Sequence, residues 1–121
     1  MTAVTNRIPF EEAADLLSSA RACLAFVIDG RPRVEPVVVR YDDSRFLVGV
    51  AETSELNAEV DEVSLVIDEG VLFFDLRAIS VRGKPARLGG LPGSDLAWFG
   101  VEPTKVTCWD YGRLRATDED C

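Results

Sequence analysis

Two parts of the chain gather basic and aromatic side chains that can act together on a flat, anionic ligand. Residues 77–87, RAISVRGKPAR, hold Arg77, Arg82, Lys84 and Arg87 with no acid among them. Residues 109–115, WDYGRLR, set Trp109 and Tyr111 two apart, with Arg113 and Arg115 just beyond. A spacing of two puts side chains on one face of a strand, so Arg82 and Lys84 can hold one anionic group unless Gly83 introduces a bulge. By the same spacing Trp109 and Tyr111 can stack on a heterocycle. Structural roles compete with these. Arg77 and Arg87 read better as partners of surface acids, and the tail can simply close the fold, with Trp109 as cap, Asp110 bracing the turn and Gly112 supplying a positive φ.

Much other chemistry is excluded. The chain has no histidine, so neither Ser-His-Asp nor Cys-His catalysis, nor histidine-ligated haem, is available within one polypeptide. Cys23, Cys108 and Cys121 are odd in number and far apart, which fits neither a disulfide framework nor a zinc or redox pair. Cys23 and Cys108 lie in apolar runs and read as small buried hydrophobes. No metal site is expected. The net charge of −8 argues against nucleic acid and anionic membranes as partners. The first residues, MTAVTNRIPFEEAADLL, lack the basic-then-apolar order of a secretory signal, and no apolar run can span a bilayer, so the expected location is cytoplasmic.

The elements that must position these residues are short. With 121 residues, 47% of them hydrophobic, one domain is expected over 1–121, with flexible ends at 1–8 and 116–121. PFEEAADLLSSARA (9–22) opens with proline and acids and spaces Ala13, Leu16, Leu17 and Ala20 as an amphipathic helix. ACLAFVID, RVEPVVVRY and RFLVGVA follow as three strands joined by turns at Gly30-Arg31-Pro32 and Asp42-Asp43-Ser44. AETSELNAEVDEV (51–63), with Thr53 or Ser54 as N-cap, predicts a second short helix. VSLVID is a fourth strand. The run 72–88 suits a long strand bent at Gly83, GGLPGSD is loop, and Leu96 to Phe99 suit one helical turn. VEPTKVTCWDY closes the chain, with Val101, Pro103, Lys105, Thr107 and Trp109 on one face. Six strands with two short helices are best accommodated by a mainly β fold, a small antiparallel barrel that leaves few edges exposed.

That order, together with CLAFVIDGRPRVEPVVVRYDDSRFLVGV, LRAISVRGKPARL and the tail PTKVTCWDYGRLR, resembles the pyridoxamine 5′-phosphate oxidase-like, or flavin/deazaflavin oxidoreductase, split-barrel superfamily over residues 10 to 115. The resemblance implies a six-stranded antiparallel split β-barrel, a homodimer, and FMN or a deazaflavin in grooves between protomers. The hydride or electron transfer is then the cofactor's own chemistry. It further implies bases at both ends of the second strand, where this chain has Glu35 and Arg40. A Ser-Arg-Lys element for the FMN phosphate is also implied, and this chain has Ser54, Glu55 and Leu56 there. One base and the hydroxyl survive.

Acids at 52, 55, 59, 61 and 62 surround that hydroxyl with no base among them, so a phosphate there meets repulsion, against which a helix start at Thr53-Ser54 offers about half a positive charge. Arg82, Lys84 and Arg113 are then the substitute anion partners, and the resemblance makes Trp109, Tyr111 and Arg113 a wall of the groove. The cofactor-binding set is Arg40, Thr53, Ser54, Arg82, Lys84, Trp109, Tyr111 and Arg113. Two readings stand: an FMN- or deazaflavin-dependent oxidoreductase acting on a small organic acceptor, or a cofactor-free homodimeric module for small-ligand binding or protein interaction.

Overall fold

The structure is a computed structural model that describes residues 3–5, 7–18, 21–72, 75–89, 94–112 and 115–117, the side chains of 3–5 and 115–117 excepted. The described elements, in order, are β1 (Ala3–Thr5), β2 (Arg7–Ile8), α1 (Phe10–Ala13), a 3-10 turn (Ala14–Ser18), β3 (Ala22–Ile28), β4 (Arg31–Pro36), β5 (Val38–Asp42), β6 (Arg45–Val50), β7 (Val63–Glu69), β8 (Arg77–Arg87), β9 (Ala97–Asp110) and β10 (Arg115–Thr117).

The main sheet runs β4-β3-β7-β8-β9-β6-β5, all antiparallel, with β2 added against β9. Its two end strands, β4 and β5, are consecutive in the chain. Only Val37 separates them, and its N–H donates to the Ala22 carbonyl at 3.0 Å. One long bent segment therefore pairs with β3 through its first half and with β6 through its second, which closes the sheet into a six-sided barrel split at Val37. The inward residues Leu24, Val48, Leu65, Ile79, Val81, Phe99 and Val101 are fully buried, and no buried polar residue occurs among those described. Alternation along β3 and β7 produces this core directly, because each inward residue opposes another, as Leu24 does Leu65.

Several expectations change in the structure. The first helix is one turn of α1 followed by 3-10 geometry, whose near-threefold repeat sets Ala13 and Leu16 on the same buried side. Residues 51–62 form successive turns instead of a second helix. The Leu56 N–H donates to Ser54 Oγ at 3.2 Å and the Glu59 N–H to Asn57 Oδ1 at 2.9 Å, so short polar side chains take the amides a helix would use. Residues 97–99 belong to β9, not to a helical turn, because Trp98 and Phe99 pair with Gly49 and Val48 of β6.

The fourth change concerns the faces of β9. Its register slips opposite Arg82/Gly83, so the bulge predicted at Gly83 adds its extra residue on β9 at Thr104. Val101 and Pro103 face inward, but beyond the bulge Val106 and Cys108 do so, and Lys105, Thr107 and Trp109 turn outward. Gly83 is required there because a Cβ would lie 2.2 Å from the Glu102 carbonyl oxygen. The chain ends also pair, β1 with β10 and β2 with β9.

Candidate functional site

The end of the barrel at which β6 exits holds a cavity of about 220 Å³ lined by Val50, Glu52, Ser54, Arg87, Asp95 and Phe99, among others. Strand pairing sets Arg87 opposite Phe99, and the guanidinium lies 5.6 Å from that ring's centroid. Ser54 enters from the turn after β6. On the outer face of the sheet, Arg40 of β5 lies 5.2 Å above the Trp98 ring of β9. Trp98 is buried, its Nε1 donates to Ser94 Oγ at 3.0 Å, and its ring fits only because residue 49 is glycine.

The hydroxyl that survives at Ser54 is already engaged. Its Oγ donates to the Glu35 carboxylate and accepts the Leu56 N–H. Arg33 Nε lies 3.2 Å from Glu55 Oε1, so the acidic replacement has its own base from β4. Thr53 is exposed and caps no helix. The element that would hold an FMN phosphate is thus an internally paired polar network. The phosphate of FMN does not fit it: the hydroxyl has no proton left to donate and a carboxylate occupies its donor direction.

Arg82 and Lys84 do share the outward face of β8, since Val81, Gly83 and Pro85 between and beside them are buried. Lys84, however, donates to the Val60 carbonyl at 3.2 Å and secures the 57–60 turn, and Arg82 stands opposite Lys105. Neither lines the cavity. Trp109 and Tyr111 lie at the opposite end of β9 from Phe99, ten or more residues away, on the order of 30 Å along a strand. Within one protomer they cannot join Ser54 and Arg87. Asp110 Oδ1 accepts the Gly112 N–H at 2.9 Å, and the Tyr111 N–H donates to the Leu76 carbonyl, so this tail turn is braced as expected. Arg113 lies outside the described residues.

Arg77 is the surface ion-pair partner predicted, bridging Asp15 and Glu69. Its hydrogen bonds to those acids raise the guanidinium further above its ordinary range and hold the Asp15 carboxyl below its own. Cys108 is buried, and burial, with a smaller contribution from Glu11, pushes its thiol up. Cys23, read as buried, is exposed on the outer face of β3. Sequence reasoning missed Trp98, read Arg87 as an ion-pair partner where it lies over Phe99, and read Glu35 only as a lost base where it engages Ser54. The available signal was register: a base at the end of β8 opposite a phenylalanine of β9, which becomes visible only once the strands are paired.

These features define a split β-barrel of the type found in flavin-binding and pyridoxamine 5′-phosphate oxidase-like proteins. The chain is similar in structure to the FAD binding protein from Mycobacterium smegmatis, at 20% identity and a TM-score of 0.67, over 93% of this chain and 99% of that one. It is similar to an FAD-binding protein from Mesorhizobium loti, at 17% identity and a TM-score of 0.64, over 98% of each. A protein from Corynebacterium glutamicum provisionally assigned as a pyridoxamine 5′-phosphate oxidase aligns at 18% identity and a TM-score of 0.64, over 87% of this chain and 90% of that one. No family model matches, and no curated protein matches in sequence.

Proposed function

We propose that this protein is a cytoplasmic, homodimeric oxidoreductase that binds a deazaflavin or a flavin with an extended anionic tail and reduces a small organic acceptor. The observation that carries the reading is the cavity that joins Ser54 to Arg87, at the barrel end where the resemblance locates the cofactor's anionic tail. The cofactor supplies hydride or electron transfer when bound. Arg87, and Arg40 on the neighbouring outer face, are the cations available to the tail, while Val50, Leu56 and Phe99 exclude water beneath it. FMN is disfavoured because Ser54 is committed to Glu35. The FAD-binding descriptions of two structural neighbours support a flavin whose main handle is not a terminal phosphate.

The homodimer rests on the outer face of β4, β3 and β7. Register aligns Pro36, Cys23 and Val66 in one row and Val34, Ala25 and Ser64 in the next, an uncharged surface in which Val34 is 71% and Val66 36% exposed. A partner is what would bring Trp109 or Tyr111 toward the cavity.

A second reading, a cofactor-free ligand-binding or interaction module, is favoured by the same Glu35–Ser54 and Arg33–Glu55 pairs. Titrating the purified protein into FMN, FAD and a deazaflavin, while following cofactor fluorescence, separates the two. Quenching by the long-tailed cofactors at micromolar concentration, weakened by Arg87→Ala, supports the oxidoreductase. Silence with all three leaves the module.

A further inference from the structure

A second cavity, of about 300 Å³, lies at the other end of β6, lined by Phe10, Tyr41, Ser44, Phe46, Pro103 and Val106. Phe46 and Val50, which line the two cavities, are four residues apart on one strand, about 13 Å at strand rise, so the sites are separate. Nothing in the flavin reading uses this one.

Its lining is unlike the rest of the molecule. None of the six residues is charged, in a chain that is 28% charged. Three are aromatic and already arranged around one another. Tyr41 and Phe46 have centroids 4.8 Å apart at 60°, Phe10 and Tyr41 5.8 Å at 45°, and Phe10 and Phe46 6.4 Å at 87°. Such tilted and edge-on contacts leave ring faces available to a further ring. The barrel is also incomplete at this point. Val106 opposes Val81, which is fully buried, yet Val106 itself is 39% exposed on that inward side. Apolar surface aimed at the core and left in water is what an apolar ligand would cover.

Charge narrows the ligand further. Exposed acids adjoin the lining: Glu11 beside Phe10, and Asp42 and Asp43 between Tyr41 and Ser44. The adjoining bases turn away. Arg45 projects from the opposite face of β6, with Nη1 3.5 Å from where a Gly100 Cβ would sit, and Lys105 faces outward on β9. The lip is the tight β5–β6 turn, in which Asp43 and Ser44 both hold positive φ, 52° and 60°. The Ser44 and Tyr41 hydroxyls are the polar handles within the lining.

We infer that this cavity is a binding site for a small aromatic compound of one or two rings that carries no negative charge. The volume lies at the lower end of small-molecule sites, which suits two fused rings and not a flavin. Three probes share one ring system and differ in charge: indole, tryptamine and indole-3-acetate. Each is titrated into the isotope-labelled full chain while amide chemical shifts are followed. Saturable shifts confined to residues around Phe10, Tyr41, Ser44 and Val106 are expected, with indole-3-acetate at least severalfold weaker than tryptamine. Val106→Phe fills the cavity and should weaken indole by about tenfold or more. Val106→Lys, a replacement that a half-exposed position should accommodate, tests the same point if the phenylalanine variant does not fold. Arg87→Ala should leave indole binding unchanged whatever it does to flavins. The inference is overturned by absence of saturation at millimolar probe, by shifts centred on Val50, Ser54 and Leu96, or by undiminished binding in a folded Val106 variant.

Discussion

Replacing Glu35 by glutamine changes one charge at the point where the phosphate of FMN would have to sit. The carboxylate is in hydrogen-bond contact with Ser54 Oγ, and a phosphate bound to the same hydroxyl would bring its phosphorus to about 5 Å from the carboxylate carbon. A dianion and a unit charge at that distance repel by about 1.7 kcal/mol in water. Physiological salt, with a screening length of about 8 Å, reduces this to about 0.9 kcal/mol. Glu35→Gln should therefore tighten FMN about fivefold. Riboflavin, which has the same ring and no phosphate, should be unaffected. Fluorescence-quenching titrations of both flavins against both proteins measure the difference. An unchanged FMN affinity, or an equal gain for riboflavin, would refute the placement of the phosphate position beside Ser54.

Further outcomes test the fold. Gly83→Ala drives a Cβ into the Glu102 carbonyl and should cost about 2 to 3 kcal/mol in urea unfolding. Gly89→Ala, with open space around it, should change stability by less than about 0.5 kcal/mol. Arg77→Met removes both ion pairs, made by a guanidinium that is 22% exposed to acids that are about half exposed, and should cost about 1 kcal/mol at neutral pH. Because the Asp15 carboxyl is held below its ordinary value, its contribution is present above about pH 4 and lost as pH falls through the lowered value. Urea midpoints of the native protein should thus fall more steeply in that acid range than those of Arg77→Met.

The sequence alone determined the strand inventory of the barrel, because strand alternation and turn chemistry are local. Val63, Leu65 and Ile67 alternate with polar or exposed neighbours, and Asp29-Gly30 and Asp43-Ser44 supply the positive φ that tight hairpins need. It also showed Glu55 and Leu56 standing where the resemblance implies two cations. The 51–62 turns were not legible, because a Leu56/Val60 spacing is compatible with a helix until Ser54 and Asn57 are seen to take the amides. Tertiary structure decided which side chains meet. The bulge at Thr104 reverses the faces of β9, so Val106 points in and Trp109 out, contrary to uninterrupted alternation. Tertiary packing set Arg87 and Ser54 on one cavity and Glu35 on the Ser54 hydroxyl, while the length of β9 held Trp109 and Tyr111 at the opposite end. Composition and periodicity are properties of neighbours in the chain, whereas a site is a property of register, which only the closed barrel defines.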